Sequence, residues 1–176
     1  DTSAPLAIEY CLFLLVSRYT GLRKEEVASL HDGQLQPPND KTILRIGVGD
    51  QYGSLTKTPD GGNKSRTTII PASIMKMLYD YTRSDRYRKR LIKFQALCKE
   101  MRESGNDGWF DAEDGIDETK NYLFISATGK PFFTKLNELN ARWGEIRKTA
   151  SSTLGYDLDA VIHNLRATFA VSLFRV

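Results

Sequence analysis

From Leu6 to Val16 the chain is apolar at every position except Glu9. A helix over 5–19 built on that run is apolar almost all round, so other elements must wrap it. The run is too short to cross a bilayer and has neither the basic flank nor the cleavage site of a signal peptide. Thr20-Gly21 break the helix. A short helix follows, with Leu22, Val27 and Leu30 at core spacing and Arg23 near its start. Pro37-Pro38-Asn39-Asp40 reads as a loop.

Residues 42–71 read as β structure of about three strands. These are Thr42–Ile46, then Ser54–Thr58, then Arg66–Ile70 after a Pro59-Asp60-Gly61-Gly62-Asn63 turn. Lys57 falls at the end of the strand that runs into that turn, and Pro71 stops the sheet. Helices are expected over 72–83 and 85–103, the second with Leu91, Phe94, Leu97 and Met101 along one face. Gly105 to Glu118 is a polar, acidic loop, and Tyr122–Ile125 a short strand or extended segment ended by Gly129-Lys130-Pro131. A helix over 134–150 carries Leu136, Leu139, Trp143 and Ile146, and a last one from about Asn164 carries Leu165, Phe169 and Leu173. The fold class is α+β, mainly α, with a small antiparallel sheet, and 176 residues make one domain of ordinary size.

The net charge of +3 hides an asymmetry. Asp107 to Glu118 holds six acidic residues and no basic one, and the rest of the chain carries 25 basic against 16 acidic side chains, a net of +9. A basic body with one acidic loop suits a polyanionic partner. Arg83 to Lys93 holds six basic residues and one acid, which could meet phosphates but more often makes a solvated helix face. Cys11 and Cys98 make no disulfide framework, which points to a reducing cytosol. Two further patterns fail on spacing. Gly53 comes one residue late after Gly47-Val48-Gly49 for a dinucleotide fingerprint. Aligning Gly115 to the glycine of a calcium loop puts Phe110 at its first ligand position.

Four side chains fit phosphodiester chemistry. Arginine offers a planar fork of donors to phosphate oxygens and stays charged at any working pH. Arg23 and Arg166, from different helices, could clamp the two non-bridging oxygens. A lysine on a hairpin, Lys57, can protonate the leaving oxygen, and His163 can exchange or orient a proton on the nucleophile. Lys64 competes with Lys57 for the hairpin role, because Lys64-Ser65-Arg66 lies in the same hairpin. Singly, each has a plainer reading: Arg23 a solvated helix residue, Glu26 its surface partner one turn on, and His163 a helix cap beside Asn164. His31 reads as a surface residue without partners, and Tyr156 as a packed one.

The frames Thr20-Gly21-Leu22-Arg23 with Glu26, Lys57-Thr58, and His163-Asn164-Leu165-Arg166, in that order, resemble the catalytic domain of the tyrosine recombinases, the phage integrase family. Leu123–Ser126 with Gly129-Lys130-Pro131 and the Trp143 helix resemble the family's connecting segment. The resemblance implies that Arg23, Lys57, His163 and Arg166 are catalytic, that Glu26 braces the site, and that Lys64 and Arg66 contact DNA. It also implies site-specific recombination through a 3′-phosphotyrosyl intermediate, with neither metal nor cofactor. Double-stranded DNA, a homotetramer on DNA, no membrane and a cytoplasmic, nucleoid-associated location go with it. Ala167 stands where many members have a second histidine, and the acidic loop resembles an insertion. All eight tyrosines precede His163, whereas the family's nucleophile lies a few dozen residues beyond the His-x-x-Arg motif. Residues 1–176 are therefore expected to be one catalytic domain without its tyrosine segment and without the family's N-terminal DNA-clamping domain. The competing expectation is a DNA-binding or assembly module of the same fold with no strand-cleaving role.

Overall fold

The computed structural model describes residues 7–56, 65–111 and 115–137. They form a mixed α/β arrangement, mostly helical, with one small antiparallel sheet. Helix α1 (Ile8–Thr20) runs through the core, and Leu12, Phe13, Leu14, Leu15 and Val16 are all buried in succession. That is the wrapping its all-round apolar surface demanded. Gly21 ends it at φ 70, a conformation glycine takes without steric cost, and donates its N–H to the Ser17 carbonyl at 3.1 Å. The one-turn helix α2 (Lys24–Ala28) follows, with Arg23 as its N-cap in extended backbone.

Strands β1 (Ile43–Gly49) and β2 (Ser65–Pro71) pair from Ile43 opposite Pro71 to Gly49 opposite Ser65. Alternation sends Leu44, Ile46, Val48 and Ile70 inward and leaves Ile43 and Ile69 exposed on the outer face. Thr68 and Arg66, opposite Ile46 and Val48, share the inner face. The Thr68 hydroxyl donates to the Thr20 carbonyl at 3.0 Å, joining β2 to the end of α1.

The described residues hold two strands, not about three. Ser54 to Thr56 is not a strand. After a 3₁₀ turn over Asp50–Tyr52, Gly53 at φ 73 turns the chain. Residues 54–56 then bond to side chains of earlier segments instead of to a strand partner. Gln34 donates to Ser54 Oγ at 2.9 Å, and the Leu55 N–H donates to Ser29 Oγ at 3.0 Å. The turn at 59–63 lies outside the described residues.

Helices α3 (Ala72–Thr82) and α4 (Asp85–Glu103) stand where the periodicity puts them. Ser84 caps α4, its hydroxyl accepting the Tyr87 N–H at 3.2 Å. The inward stripe of α4 is Tyr87, Phe94, Cys98 and Met101, with Leu91 packed at its edge. Cys98 thus takes the place expected for Leu97, one position round the helix.

A single turn α5 (Gly108–Asp111) opens the acidic loop. Arg102 draws the two ends of that loop together, reaching Asp107 at 3.1 Å and Glu118 at 3.0 Å with its guanidinium over the Phe110 ring. Tyr122 to Ile125 then runs extended and fully inside, with Leu123, Phe124 and Ile125 each at 0% exposure. Phe124 meets the Phe13 ring edge-on at 5.3 Å, and Tyr122 meets Phe94 at 5.6 Å, so the segment fills the space between α1 and α4. The Leu123 N–H donates to the Leu30 carbonyl at 2.9 Å. The chain reverses at Gly129, at φ 94, where an added Cβ would sit 2.8 Å from the Lys93 backbone, so only glycine fits. Of the helix expected over 134–150, a 3₁₀ turn over Phe132–Lys135 leads into α-helix at Leu136 and Asn137, and the part beyond 137 lies outside the described residues, as does the helix expected from Asn164.

Candidate functional site

Arg23 is exposed at the start of α2. Its own N–H donates to Glu26 Oε1 at 2.8 Å, so the acid one turn on closes the helix start from within. The Glu26 side chain is at 0% exposure. Its carboxylate takes three further bonds from the far side of the fold. Thr56 Oγ1 donates to Oε2 at 2.7 Å, Arg66 Nε donates to Oε2 at 2.8 Å, and Arg66 Nη2 donates to Oε1 at 2.5 Å. Both oxygens are thereby satisfied, as a buried carboxylate requires. Thr56 directly precedes Lys57 and Arg66 follows Lys64 by two residues. Glu26 therefore joins the Arg23 helix to both ends of the segment that carries the two lysines.

Arg66 was expected to contact DNA, and two of its donors go to Glu26, with 40% of its side chain exposed. Glu26 was expected to brace the site or to be a surface partner of the Arg23 side chain, and it is buried and holds Arg23 by the main chain. Lys57, Lys64, His163 and Arg166 lie outside the described residues, and so does Tyr156. His31 does have partners. Its Nε2 lies 2.8 Å from the Tyr52 carbonyl and so carries the proton, while Nδ1 accepts the Gly33 N–H at 3.2 Å. The ring ties the turn after α2 to the turn after β1.

A second buried carboxylate sits at the other end of α1. Glu9 is at 0% exposure and takes Arg86 Nη2 at 2.7 Å, Arg86 Nε at 2.8 Å and the Tyr81 hydroxyl at 2.5 Å. Arg90 Nη2 lies 3.4 Å from Oε1, and its Nη1 donates to the Ile125 carbonyl at 2.7 Å. Lys93 donates to the Ala127 carbonyl at 3.0 Å, and Arg83 stacks on Tyr79 at 4.4 Å. Much of the basic run 83–93 is thus engaged within the protein.

Burial alone would push both carboxyls up, but the bonds they accept outweigh it. Those from Arg66, Thr56 and the Arg23 amide hold Glu26 below the usual carboxylate range, and those from Arg86 and Tyr81 with the Arg90 charge do the same for Glu9. A carboxyl with a depressed folded pKa contributes stability that is complete above the unfolded value, ~4.3 for Glu. That stability is lost as pH falls through the folded value. Urea midpoints should therefore hold steady down to about pH 5 and fall below it. Glu9→Gln and Glu26→Gln should each flatten that fall, and an equally steep fall in both variants would show that other groups cause it.

Burial pushes the Tyr81 and Tyr87 hydroxyls well up, and the Tyr122 hydroxyl up to about 12. These three are buried packing residues and poor candidates for an attacking oxygen. The Cys98 thiol is likewise pushed up to about 11 by burial, with Glu118 adding to it. A cleft of about 210 Å³ lined by Ser29, Asp50, Ser54, Lys120, Tyr122 and Phe133 lies next to the 54–56 stretch, without Arg23 or Glu26 in its wall.

No group of three or more His, Cys, Asp or Glu that could hold a metal ion occurs among the described residues. No helix among them is long and apolar enough to cross a membrane. The alternation of β2 puts Arg66 on the inner face with Ile70, the one part of the Glu26–Thr56–Arg66 tie that the sequence pattern carries. Compared with known proteins, the chain matches no family model, no curated protein and no solved structure.

Proposed function

We propose that this chain is the catalytic domain of a tyrosine-type site-specific DNA recombinase. The observation that carries the reading is the position of Arg23: exposed at the start of α2, with its amide on a buried acid that also ties down both ends of the lysine-bearing segment. A phosphate held at Arg23 would then meet a cation whose backbone cannot drift relative to residues 56 and 66. In this reading Arg23 and Arg166 hold the non-bridging oxygens, Lys57 protonates the leaving 5′ oxygen, and His163 handles the proton of the attacking tyrosine. The active assembly in this reading is a tetramer on duplex DNA. Lys64 adds a DNA contact.

Binding of the 176-residue chain to duplex DNA tests the reading. The affinity should be weak and fall steeply with salt, the logarithm of the binding constant dropping by about 0.9 per phosphate neutralised for each unit of log salt. Arg23→Ala should weaken binding to all sequences alike and lower that slope by about one. Undiminished affinity at several-fold higher salt would overturn the phosphate-binding reading.

A further inference from the structure

The stretch 52–55 forms one wall of the cleft beside it, and each of its residues is pinned. The Tyr52 carbonyl accepts from His31 Nε2 at 2.8 Å, and the Gly53 carbonyl accepts from the Lys120 ammonium. Ser54 Oγ accepts the Gln34 amide at 2.9 Å and the Gly49 N–H at 3.1 Å, and the Leu55 N–H donates to Ser29 Oγ at 3.0 Å. Tyr122 lines the same cleft, and its hydroxyl oxygen accepts the Asp117 N–H at 3.0 Å. Ser54 is 7% exposed and Tyr122 4%. In both, the oxygen serves only as an acceptor, and among the described residues neither hydroxyl hydrogen meets an acceptor. Burial pushes the Tyr122 hydroxyl up to about 12, so its proton is in place at neutral pH. A buried donor left without an acceptor is costly. Two of them on one cleft call for acceptor atoms inside it.

The rest of the lining narrows what those atoms belong to. Lys120, with 27% of its side chain exposed, adds a cation. Its nearest acid, Asp117 at 3.7 Å, already accepts the Thr119 N–H at 2.9 Å and the Thr119 hydroxyl at 2.5 Å. A carboxylate answers two hydroxyl donors and an ammonium together. Asp50 brings a negative charge to the same lining, and Leu55 and Phe133 bring apolar surface. Two acids against one lysine leave the lining at −1, which suits a zwitterion better than a bare anion. The cleft's volume of about 210 Å³ holds roughly eight non-hydrogen atoms, at the ratio of benzene in a ~150 Å³ cavity. We propose that this cleft binds a small apolar α-amino acid, its carboxylate held by Ser54, Tyr122 and Lys120 and its ammonium by Asp50. The bonds that pin 52–55 fix the wall before the ligand arrives, so little ordering opposes binding. Neither Arg23 nor Glu26 lines the cleft, so the site is separate from the phosphate site and does not depend on the recombinase reading.

The test is a titration of the isotope-labelled 176-residue chain with L-valine, followed by amide NMR shifts. The Leu55 and Asp117 amides should move saturably, with a Kd of ~10 mM or tighter. L-Valinamide lacks the carboxylate and 3-methylbutanoate lacks the ammonium, and each should bind roughly tenfold more weakly or worse, the loss of one hydrogen bond to a charged group. Tyr122→Phe keeps the ring and removes the donor, and should weaken valine by a similar factor. Lys120→Met should do the same. It lies outside the core and serves if Tyr122→Phe loosens the turn at Asp117. Shifts that never saturate, or that fall away from the cleft, would overturn the proposal and leave the two hydroxyls to bound water. Valinamide or 3-methylbutanoate binding as tightly as valine would overturn the amino-acid assignment. Undiminished affinity in both variants would remove the carboxylate from this cleft.

Discussion

Glu9→Ala is expected to destabilise the protein by about 4 kcal/mol, within the range for breaking a buried ion pair by removing one partner. The carboxylate lies in the first turn of α1, fully buried, and it is the point at which α1, α3 and α4 are joined by polar bonds. Without it, the Tyr81 hydroxyl is buried with no acceptor from Glu9, and Arg90, with 16% of its side chain exposed, keeps a charge with little water to stabilise it. Arg86, at 49% exposure, can turn to solvent once Glu9 is gone, whereas Arg86→Ala leaves the Glu9 carboxylate buried with Arg90 and the Tyr81 hydroxyl to offset its charge, so Arg86→Ala should also be clearly destabilising. Urea unfolding followed by tryptophan fluorescence measures both. A loss below about 1 kcal/mol for Glu9→Ala would place the cluster with exposed ion pairs, which contribute that little.

On the recombinase reading proposed above, Arg23→Ala should lower DNA cleavage ~10²–10³-fold, the usual loss when one preorganised donor to a developing anion is removed. The same change should cost the fold no more than the ~0–1 kcal/mol of an exposed side-chain contact. Glu26 bonds the Arg23 backbone N–H, which alanine keeps, and the Arg23 side chain is exposed. A large loss of rate with little loss of melting temperature is therefore the expected signature. Arg23→Lys keeps the charge but loses the fork and should recover only part of the rate. A variant that cleaves DNA at the unmutated rate would remove Arg23 from the site.

What could be read in the sequence followed from local physics. The all-round apolar run made α1 a core helix, Gly21 ended it, and the 3.6-residue stripe placed α4. The two strands followed from alternation and from the Pro71 stop. The stretch 54–56 was misjudged as a third strand because its partners are the side chains of Gln34, Ser29 and Glu26, and no local period encodes those. Glu9 looked like an interruption, and Arg86 and Arg90 like part of a basic surface. Their spacing of four puts both on one helix face, the signal that could have joined them to the lone acid in α1. Arg23 and Glu26 were singled out in the sequence, but the bond between them runs through the main chain, which residue types do not reveal. The link from Glu26 to Thr56 and Arg66 depends on how β2 sits against α2, and so needed the tertiary arrangement.

The extended segment Tyr122–Ile125 has a consequence for how the protein is made. It covers the Phe13 side of α1 and bonds the carbonyl of Leu30, yet it follows both by most of a domain's length of chain. A ribosome delivers α1 before that segment, so the Phe13 side of the helix stays uncovered until residues 122–125 have been synthesised. Contacts this distant in sequence close late and slowly. The interval in which α1 waits is the period when a nascent chain of this kind is most open to aggregation or to capture by a chaperone.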